Sequence, residues 1–345
     1  MVKEIEVTFE TITPLWTGDA WGENSQIRPS SILGALRFWF EVLCYFSGRC
    51  GERDFNGEKR RFEKEVDKNR FEKCIKRKVM EENGELNLQT KIKCLQEQNI
   101  PLPAIIFGAT NWRGLVEVEG IDFEKSNFKS ERRGRILPNK NFFWSSPYYE
   151  GRFTITFALP SEIVEGFFYP LLAFMNNYGF WGGKWNIGYG KLKAEIEGVD
   201  LNNLTSLSIG GEEIVPRIAW FRKNSEFCKR EFEEEELKKG VKHIISPSII
   251  YIPFNFNPSV REVKEGIKQL LTEKVKLRNC LRRRNNRNFW TSVRHKLMGE
   301  RGEGSKIIPF IEKVDNGKYT GGFLSIAGLL HLDKDFMRRL NRERT

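Results

Sequence analysis

Residues 152 to 196 read RFTITFALPSEIVEGFFYPLLAFMNNYGFWGGKWNIGYGKLKAEI, and this stretch decides the fold. Its first part, Arg152 to Leu159, alternates polar and apolar residues, which is typical of a half-buried strand. A long apolar segment, Glu162 to Asn177, predicts a helix that Pro170 kinks. A glycine-rich turn then leads into a short strand, Lys191 to Ile196. The stretch is therefore a strand, a helix, a turn and a strand.

The preceding residues complete a domain around this stretch. Lys3 to Thr11 alternates as a strand, and an apolar helix follows the N-cap Ser30-Ser31 and ends at Ser47-Gly48. Residues 49 to about 98 are rich in Lys, Arg and Glu and predict a charged helical insertion, after which strands return from Ala104. The order βα, insertion, ββαβ predicts a split βαβ, or ferredoxin-like, domain with two helices on one face of an antiparallel sheet.

A second domain is predicted after a connector at residues 201 to 216. Ser248 to Phe256 reads as a strand, and an amphipathic helix begins at Pro258. Ser305 to Val314 and Gly322 to Leu330 supply further strands or a short helix.

A faint internal repeat relates the two halves of the chain. Ile106-Phe107-Gly108 followed by Gly114 to Val118 resembles Leu297-Met298-Gly299 followed by Ser305 to Ile308, with a polar loop between each pair. Repetition of one unit indicates two related domains. We therefore predict an α+β protein with two ferredoxin-like (RRM-like) domains in tandem. They span residues 1–205, with the insertion at about 49–98, and residues 206–345.

The composition indicates the class of partner. The chain has 57 basic and 46 acidic side chains, a net charge of +11, and such a charge attracts polyanions. The six cysteines form no CxxC pair and lie at no zinc-finger spacing from a histidine, so we expect reduced thiols, no metal and no cofactor. The N-terminus lacks the apolar core of a signal peptide, and no apolar run of about 18 residues could span a membrane. These features predict a soluble cytoplasmic protein.

The glycine-rich turn is the first candidate site. Its glycines permit positive φ, and its lysines and aromatic rings suit a sugar-phosphate chain with stacked bases. A nucleotide phosphate loop is disfavoured because the order is helix, loop, strand and because Leu192 follows Lys191. A turn that merely needs glycine is the alternative. The predicted RNA contacts are Gly182, Gly183, Lys184, Gly188, Tyr189, Gly190 and Lys191.

Two further segments carry candidate RNA contacts. Arg28 precedes a helix N-terminus, where anions bind well. Arg37 lies within an apolar helix, and the alternative there is a snorkelling side chain or a buried ion pair. The segment Leu277 to Arg301 interleaves eight basic residues with aromatic ones, which is typical of nucleic-acid binding, a solvated basic helix face being the alternative. Its predicted contacts are Arg282, Arg283, Arg284, Arg294, His295, Lys296 and Arg301.

Several of these stretches resemble the RAMP superfamily of CRISPR proteins. They are Thr13-Pro14-Leu15-Trp16-Thr17-Gly18, the helix start from Ile27 to Trp39, Ile106-Phe107-Gly108-Ala109-Thr110 and the glycine turn, and a weaker likeness covers Arg294 to Gly299 and Ser305 to Ile307. Within that family they are similar to the first (Cmr1-type) subunit of the type III-B Cmr effector complex. The resemblance implies binding of guide or target RNA near the 3′ end of the guide and assembly with other Cmr subunits. It also implies that another, backbone-forming subunit cleaves the target.

The sequence thus predicts a non-catalytic subunit that binds single-stranded RNA, and it leaves two alternatives open. A metal-independent ribonuclease that processes guide RNA needs a general acid and base near the 2′-OH. His295 with Lys296 and Tyr319 are candidates for these roles, although their spacing does not compel them. A scaffold that contacts only protein is the other alternative.

Overall fold

The structure is a computed structural model in which strands and helices alternate. It describes residues 1–19, 23–81, 86–130, 147–204, 206–209, 211–215, 222–223, 241, 244–245, 248–256, 259–282, 287–299, 304–314 and 317–342. The strands are β1 (Val2–Thr11), β2 (Phe55–Asn56), β3 (Arg61–Phe62), β4 (Glu117–Phe123), β5 (Phe128–Lys129), β6 (Tyr148–Tyr149), β7 (Arg152–Pro160), β8 (Leu192–Glu195), β9 (Leu207–Ile209), β10 (Glu212–Val215), β11 (Arg222–Lys223), β12 (Ile250–Phe254), β13 (Ile307–Val314) and β14 (Lys318–Ser325). The α-helices are α1 (Pro29–Phe46), α2 (Lys68–Glu81), α3 (Leu88–Gln96), α4 (Leu102–Phe107), α5 (Tyr169–Tyr178), α6 (Val263–Arg282), α7 (Arg287–Met298) and α8 (Lys334–Arg342).

An antiparallel sheet forms the centre of the first half of the chain, residues 1–205. Its strands lie in the order β4–β7–β1–β8, so the first and third strands of the βαββαβ pattern are neighbours. Val7 lies opposite Ile155 and Phe9 opposite Phe153, and all four side chains are buried. Alternate residues of a strand share a face, so the alternation seen in the sequence buries one face of the sheet. The predicted order is confirmed in this half for β1, α1, β4, β7, α5 and β8.

Helices α1 and α5 cover the buried face of this first sheet. The Trp39 indole donates a hydrogen bond to the Phe180 carbonyl at 3.0 Å, which joins α1 to the chain just after α5. Arg28, not Ser30, is the N-cap of α1, because Pro29 occupies the first turn. Pro170 lies in the first turn of α5, after a π-helical turn at Val164–Phe168, so the predicted kink falls at the start of this helix. No helix among the described residues is long and apolar enough to cross a membrane.

The strand predicted from Ala104 is wrong at its beginning. Leu102–Phe107 forms the helix α4, and the strand β4 begins later, at Glu117. A short apolar run does not by itself distinguish a buried strand from a buried helix. Pro101 and Pro103 favour the helix here, since proline is well tolerated at a helix start.

The charged insertion is confirmed as helical, and it contains a disulfide. Cys74 of α2 is bonded to Cys94 of α3. The prediction that the thiols are scattered and reduced is therefore wrong for this pair, because the two helices pack side by side and bring together cysteines that are 20 residues apart. An ion pair of 2.6 Å between Arg77 and Glu97 lies beside the same contact.

A second sheet forms the centre of the second half, residues 206–345. Its strands lie in the order β11–β12–β14–β13, and β12, α6, α7, β13, β14 and α8 follow one another along the chain. The β11–β12 pair is parallel, whereas the other two pairs are antiparallel. The predicted connector contains a small hairpin, β9–β10. Helix α6 begins at Val263, later than predicted from Pro258, which lies outside the described residues.

The internal repeat has a structural counterpart. Gly108 follows α4 and Gly299 follows α7, and both glycines have positive φ, +95° and +76°. Two residues before each glycine, a carbonyl accepts a backbone hydrogen bond from the returning chain. The distances are 2.7 Å for Leu115 to Ile106 and 2.8 Å for Lys306 to Leu297. The same helix, glycine, loop and strand therefore occur in both halves.

Candidate nucleic-acid interface

The glycine turn packs tightly against the loop that follows β1. Gly182 and Gly190 have φ of +64° and +86°. A Cβ at Gly190 would lie 2.0 Å from the Trp181 carbonyl oxygen, so no other residue fits without a shift. The Gly183 and Gly190 amides donate to the carbonyls of Trp16 and Pro14, both at 2.8 Å. The structure therefore supports the alternative named for these glycines, in which the turn needs glycine for its own packing.

The other side of the turn contacts the second half. An added Cβ at Gly188 would lie 3.2 Å from Ile267 of α6. The Lys274 ammonium, also on α6, donates to the Asn186 carbonyl at 3.0 Å. Tyr189 is fully buried, in a cluster that also contains Ile267. The glycine turn is thus a joint between the two halves, and the Tyr189 side chain is not on the surface.

Two buried lysines cross this joint, one from each half. The Lys191 ammonium donates to the Asn176 carbonyl at 2.6 Å and lies 4.7 Å from the centre of the Phe310 ring. Burial lowers the pKa of Lys191 to about 7. Burial, together with the nearby Arg278, lowers the pKa of Lys274 to about 7. Lys191 has no exposed surface, so as placed it does not present a charge to RNA.

Lys184 and Arg28 both contact the loop that follows β1, at Trp16 and Thr17 respectively. The Lys184 ammonium lies 4.0 Å from the centre of the Trp16 ring, and partial burial lowers its pKa to about 8. The Arg28 amide donates to the Thr17 hydroxyl at 3.3 Å, and its guanidinium pairs with Asp19 at 3.0 Å. The structure therefore brings these two predicted contacts onto one loop, where each side chain is partly exposed.

Arg37 forms a buried ion-pair network. Its guanidinium pairs with Glu41 at 3.0 Å and Glu63 at 3.3 Å, and it donates to the Gly108 carbonyl at 2.8 Å. Burial raises the pKa of Glu41 even though Arg37 opposes the shift. The buried ion pair named as the alternative for Arg37 is thus what the structure shows, and Arg37 holds α1 to the end of α4.

The arginine-rich segment is described in part. Arg294 lies 2.7 Å from the His295 ring nitrogen, and the Lys296 ammonium pairs with Asp333 at 2.9 Å. Tyr319 packs in the cluster at the joint. The structure thus gives Lys296 and Tyr319 different neighbours. The predicted contacts Arg283, Arg284 and Arg301, and the side chain of Arg282, lie outside the described residues.

A cleft of about 830 Å³ separates α1 and the β2–β3 hairpin from α7 and α8. Its walls include three phenylalanine rings, and the ring of Phe38 lies 5.1 Å from that of Trp185 in the glycine turn. Both basic and acidic side chains line it. The aromatic residues are Phe38, Phe55 and Phe62, the basic ones are Arg60, Lys296, Lys306, Lys334 and Arg338, and the acidic ones are Glu41, Glu52, Asp333 and Asp335.

Comparison with known proteins assigns a family. The sequence profile of the RAMP superfamily matches residues 8–193, which is more than half of the chain. The chain belongs to the RAMP superfamily. It is also similar to the crystal structure of Cmr1 from Pyrococcus furiosus in its apo form, at 16% identity and a TM-score of 0.40, over 94% of this chain and 87% of that one. A search of curated proteins finds no match.

The net charge of this RAMP-superfamily chain is confined to its second half. Residues 1–205 carry 28 basic and 28 acidic side chains, whereas residues 206–345 carry 29 and 18. The whole excess of +11 therefore lies in the half that contributes α7, α8 and Lys306 to the cleft. A phosphate chain is drawn to this half by its overall field.

Most cleft residues of this RAMP-superfamily chain were missed from the sequence. Of its basic residues, Lys296 was a predicted contact, whereas Arg60, Lys306, Lys334 and Arg338 were not. These four residues come from three separate segments, so no local pattern marks them. The described residues also contain no group of three or more His, Cys, Asp and Glu side chains that could hold a metal ion.

Proposed function

We propose that this chain is the Cmr1-type subunit of a CRISPR type III-B ribonucleoprotein that serves antiviral defence. It binds single-stranded RNA, guide or target, near the 3′ end of the guide, together with other Cmr subunits. Membership of the RAMP superfamily supports this proposal, as do the motif from Ile27 to Trp39 and the glycine turn. The repeated glycine connection and the shared antiparallel order of three strands, β4–β7–β1 in the first half and β13–β14–β12 in the second, support two ferredoxin-like domains in tandem, at residues 1–205 and 206–345.

The observation that carries the RNA-binding proposal is the confinement of the net charge to the second half. Phosphate contacts and counterion release supply most of the sequence-independent affinity for nucleic acids. The cleft between the halves adds the partly exposed rings of Phe38 and Phe55, on which unstacked bases of a single strand can pack. We therefore place the RNA across this cleft, with its phosphates toward the second half.

The proposal assigns the chain no catalytic step. Metal-independent cleavage needs a general base at the 2′-OH that attacks the phosphate and a general acid at the 5′-oxygen that leaves it. Lys296 is paired with Asp333, and Tyr319 packs at the joint, which argues against one shared site with His295. Incubation of labelled repeat RNA with the chain and a chelator tests this directly, and any product band that is absent with His295→Ala contradicts it.

Binding of labelled single-stranded RNA to the purified chain on filters tests the proposal. The double variant Lys306→Ala/Arg338→Ala removes two cleft charges, and we expect it to weaken binding by about tenfold at low salt. The matched control is Lys3→Ala/Lys125→Ala, which removes two charges of the first half, and we expect a change within about twofold. Equal loss in both variants, or no binding by the wild-type chain, contradicts the proposal.

A further inference from the structure

Among the described residues, no helix covers the second face of the first sheet, and that face is acidic. Because α1 and α5 pack on the side of Val7 and Phe9, the alternate residues of β1 point away from the core. These are Glu4, Glu6 and Glu10, all exposed, with Thr8 between them.

The neighbouring strands extend this acidic face. By register, Asp122 lies opposite Thr154, Glu117 opposite Ala158, and Glu195 opposite Thr8, so their side chains share the face. Three carboxylates have a basic partner, in the pairs Glu10–Arg152 at 2.9 Å, Glu195–Lys193 at 2.6 Å and Glu117–Arg113. The other three carboxylates, on Glu4, Glu6 and Asp122, leave the face with an excess of negative charge.

This face is unsuited to RNA. RNA-recognition domains stack bases on aromatic residues of such a sheet. The outward positions of β1, β4, β7 and β8, which the structure describes in full, carry Glu, Asp, Thr, Arg, Lys, Ala, Gly, Val and Pro at these registers and no aromatic residue. Carboxylates in excess also repel phosphates. The acidic face and the basic second half therefore call for different partners.

We propose that the acidic face docks a lysine- and arginine-rich face of another protein subunit of the ribonucleoprotein. Charge complementarity carries the assignment, since a protein that shares an RNA with this chain exposes basic residues, and opposite potentials steer and orient two proteins. A depression of about 560 Å³ adjoins the face at β8 and adds Glu197 and Asp200 to its rim, so long basic side chains have a place to enter. This inference rests on the proposed function.

Reversal of charge on the acidic face tests the docking. Glu4→Lys/Glu6→Lys changes two exposed residues of β1, and Glu72→Lys/Glu165→Lys makes the same change of net charge at exposed positions away from the face. The probe is the complex of the other Cmr subunits assembled on guide RNA without this chain, and its Kd for each variant is measured by biolayer interferometry. We expect the face variant to raise the Kd at least about tenfold, whereas the control variant changes the Kd by less than about twofold. Equal Kd values for the two variants, or no binding of the wild-type chain, overturn the proposal.

Two further measurements distinguish the docking proposal from the RNA-binding proposal and from self-association of the chain. RNA affinity of the isolated face variant stays equal to that of the wild-type chain or increases, and loss of RNA binding by the face variant alone overturns the docking proposal. Absence of RNA binding by all three proteins contradicts the proposed function instead. Sedimentation of the isolated chain tests whether a second copy of the chain occupies the acidic face instead. Self-association of the wild-type chain that Glu4→Lys/Glu6→Lys abolishes would show this and would overturn the proposal of a different subunit.

Discussion

The Lys184 ammonium lies over the ring of Trp16, 4.0 Å from its centre. This contact joins the glycine turn to the loop after β1. The same loop accepts the Gly183 amide at the Trp16 carbonyl and holds Arg28 through Thr17. The glycine turn and the start of α1 therefore contact adjacent residues of this loop, Trp16 and Thr17, and we expect stability at this point to depend on both contacts.

Replacement of Trp16 tests that dependence. Trp16→Leu removes the ring under Lys184 and the wall against which Gly183 packs, so we expect a loss of about 2–4 kcal/mol in the free energy of unfolding. Lys184→Met removes the cation–π contact but also relieves the partial burial of the charge, so we expect a change of less than about 1 kcal/mol. Urea unfolding measures both. A larger loss for Lys184→Met than for Trp16→Leu contradicts this account of the contact.

The close approach at Gly190 is a second test of the joint. Gly190→Ala places a methyl group against the Trp181 carbonyl at a positive φ, and we expect it to cost more than about 3 kcal/mol. Gly198→Ala is the matched control, since Gly198 has φ +72° and no atom within 4 Å of the added carbon. Its cost is about 1 kcal/mol, from the φ alone. Similar thermal midpoints for the two variants would contradict this prediction, because they would show that the backbone around Gly190 shifts at little cost.

The buried lysines predict how stability depends on pH. Because burial lowers the pKa of Lys191 and Lys274 to about 7, the folded chain binds fewer protons than the unfolded chain between pH 7 and the ordinary lysine value near 10.5. The free energy of unfolding therefore rises with pH in that window, by about 1 kcal/mol per pH unit for each lysine. Urea titrations at pH 7, 8 and 9 measure the slope.

Neutral replacements of these lysines provide the control. Lys191→Met/Lys274→Met lacks both lysines whose pKa is about 7 and keeps Lys184, so its stability changes less with pH than that of the wild-type chain. Parallel slopes for the two proteins would contradict the assignment of the pH dependence to these lysines.

The disulfide of the insertion predicts a response to reductant. A link between Cys74 and Cys94 restricts a loop of about 20 residues in the unfolded chain, which stabilises the insertion by about 3 kcal/mol. Dithiothreitol is expected to lower the thermal midpoint of the wild-type chain and to leave that of Cys74→Ser/Cys94→Ser unchanged. Mass spectrometry without reductant checks the bond itself, and two alkylated cysteines at these positions would contradict it.

The first half could be predicted well because its signals are local. Alternation in β1 and β7, the apolar helix α1 and the glycines before β8 each depend on a few neighbouring residues. The repeat around Gly108 and Gly299 was also visible, although the hydrogen bond that both copies make was not. Helix α4 was missed because a run of four apolar residues suits either structure.

The candidate site was harder to predict, because burial depends on tertiary contacts. Arg37, Tyr189 and Lys191 have the residue types of RNA contacts, yet partners from distant segments enclose them. The cleft draws its basic residues from four parts of the chain, so the sequence alone did not group them. The disulfide was likewise invisible, since nothing in the spacing of Cys74 and Cys94 marks a pair.

Photocrosslinking tests the central claim most directly. Single-stranded RNA with 4-thiouridine is irradiated with the chain, alone and in the assembled complex, and the crosslinked peptides are mapped by mass spectrometry. We predict crosslinks to the cleft, at the aromatic residues Phe38 and Phe55 and in the peptide of α8. Crosslinks confined to β1 and β7, on the open face of the first sheet, or no crosslinks at all, would contradict the claim that this chain binds RNA across the cleft.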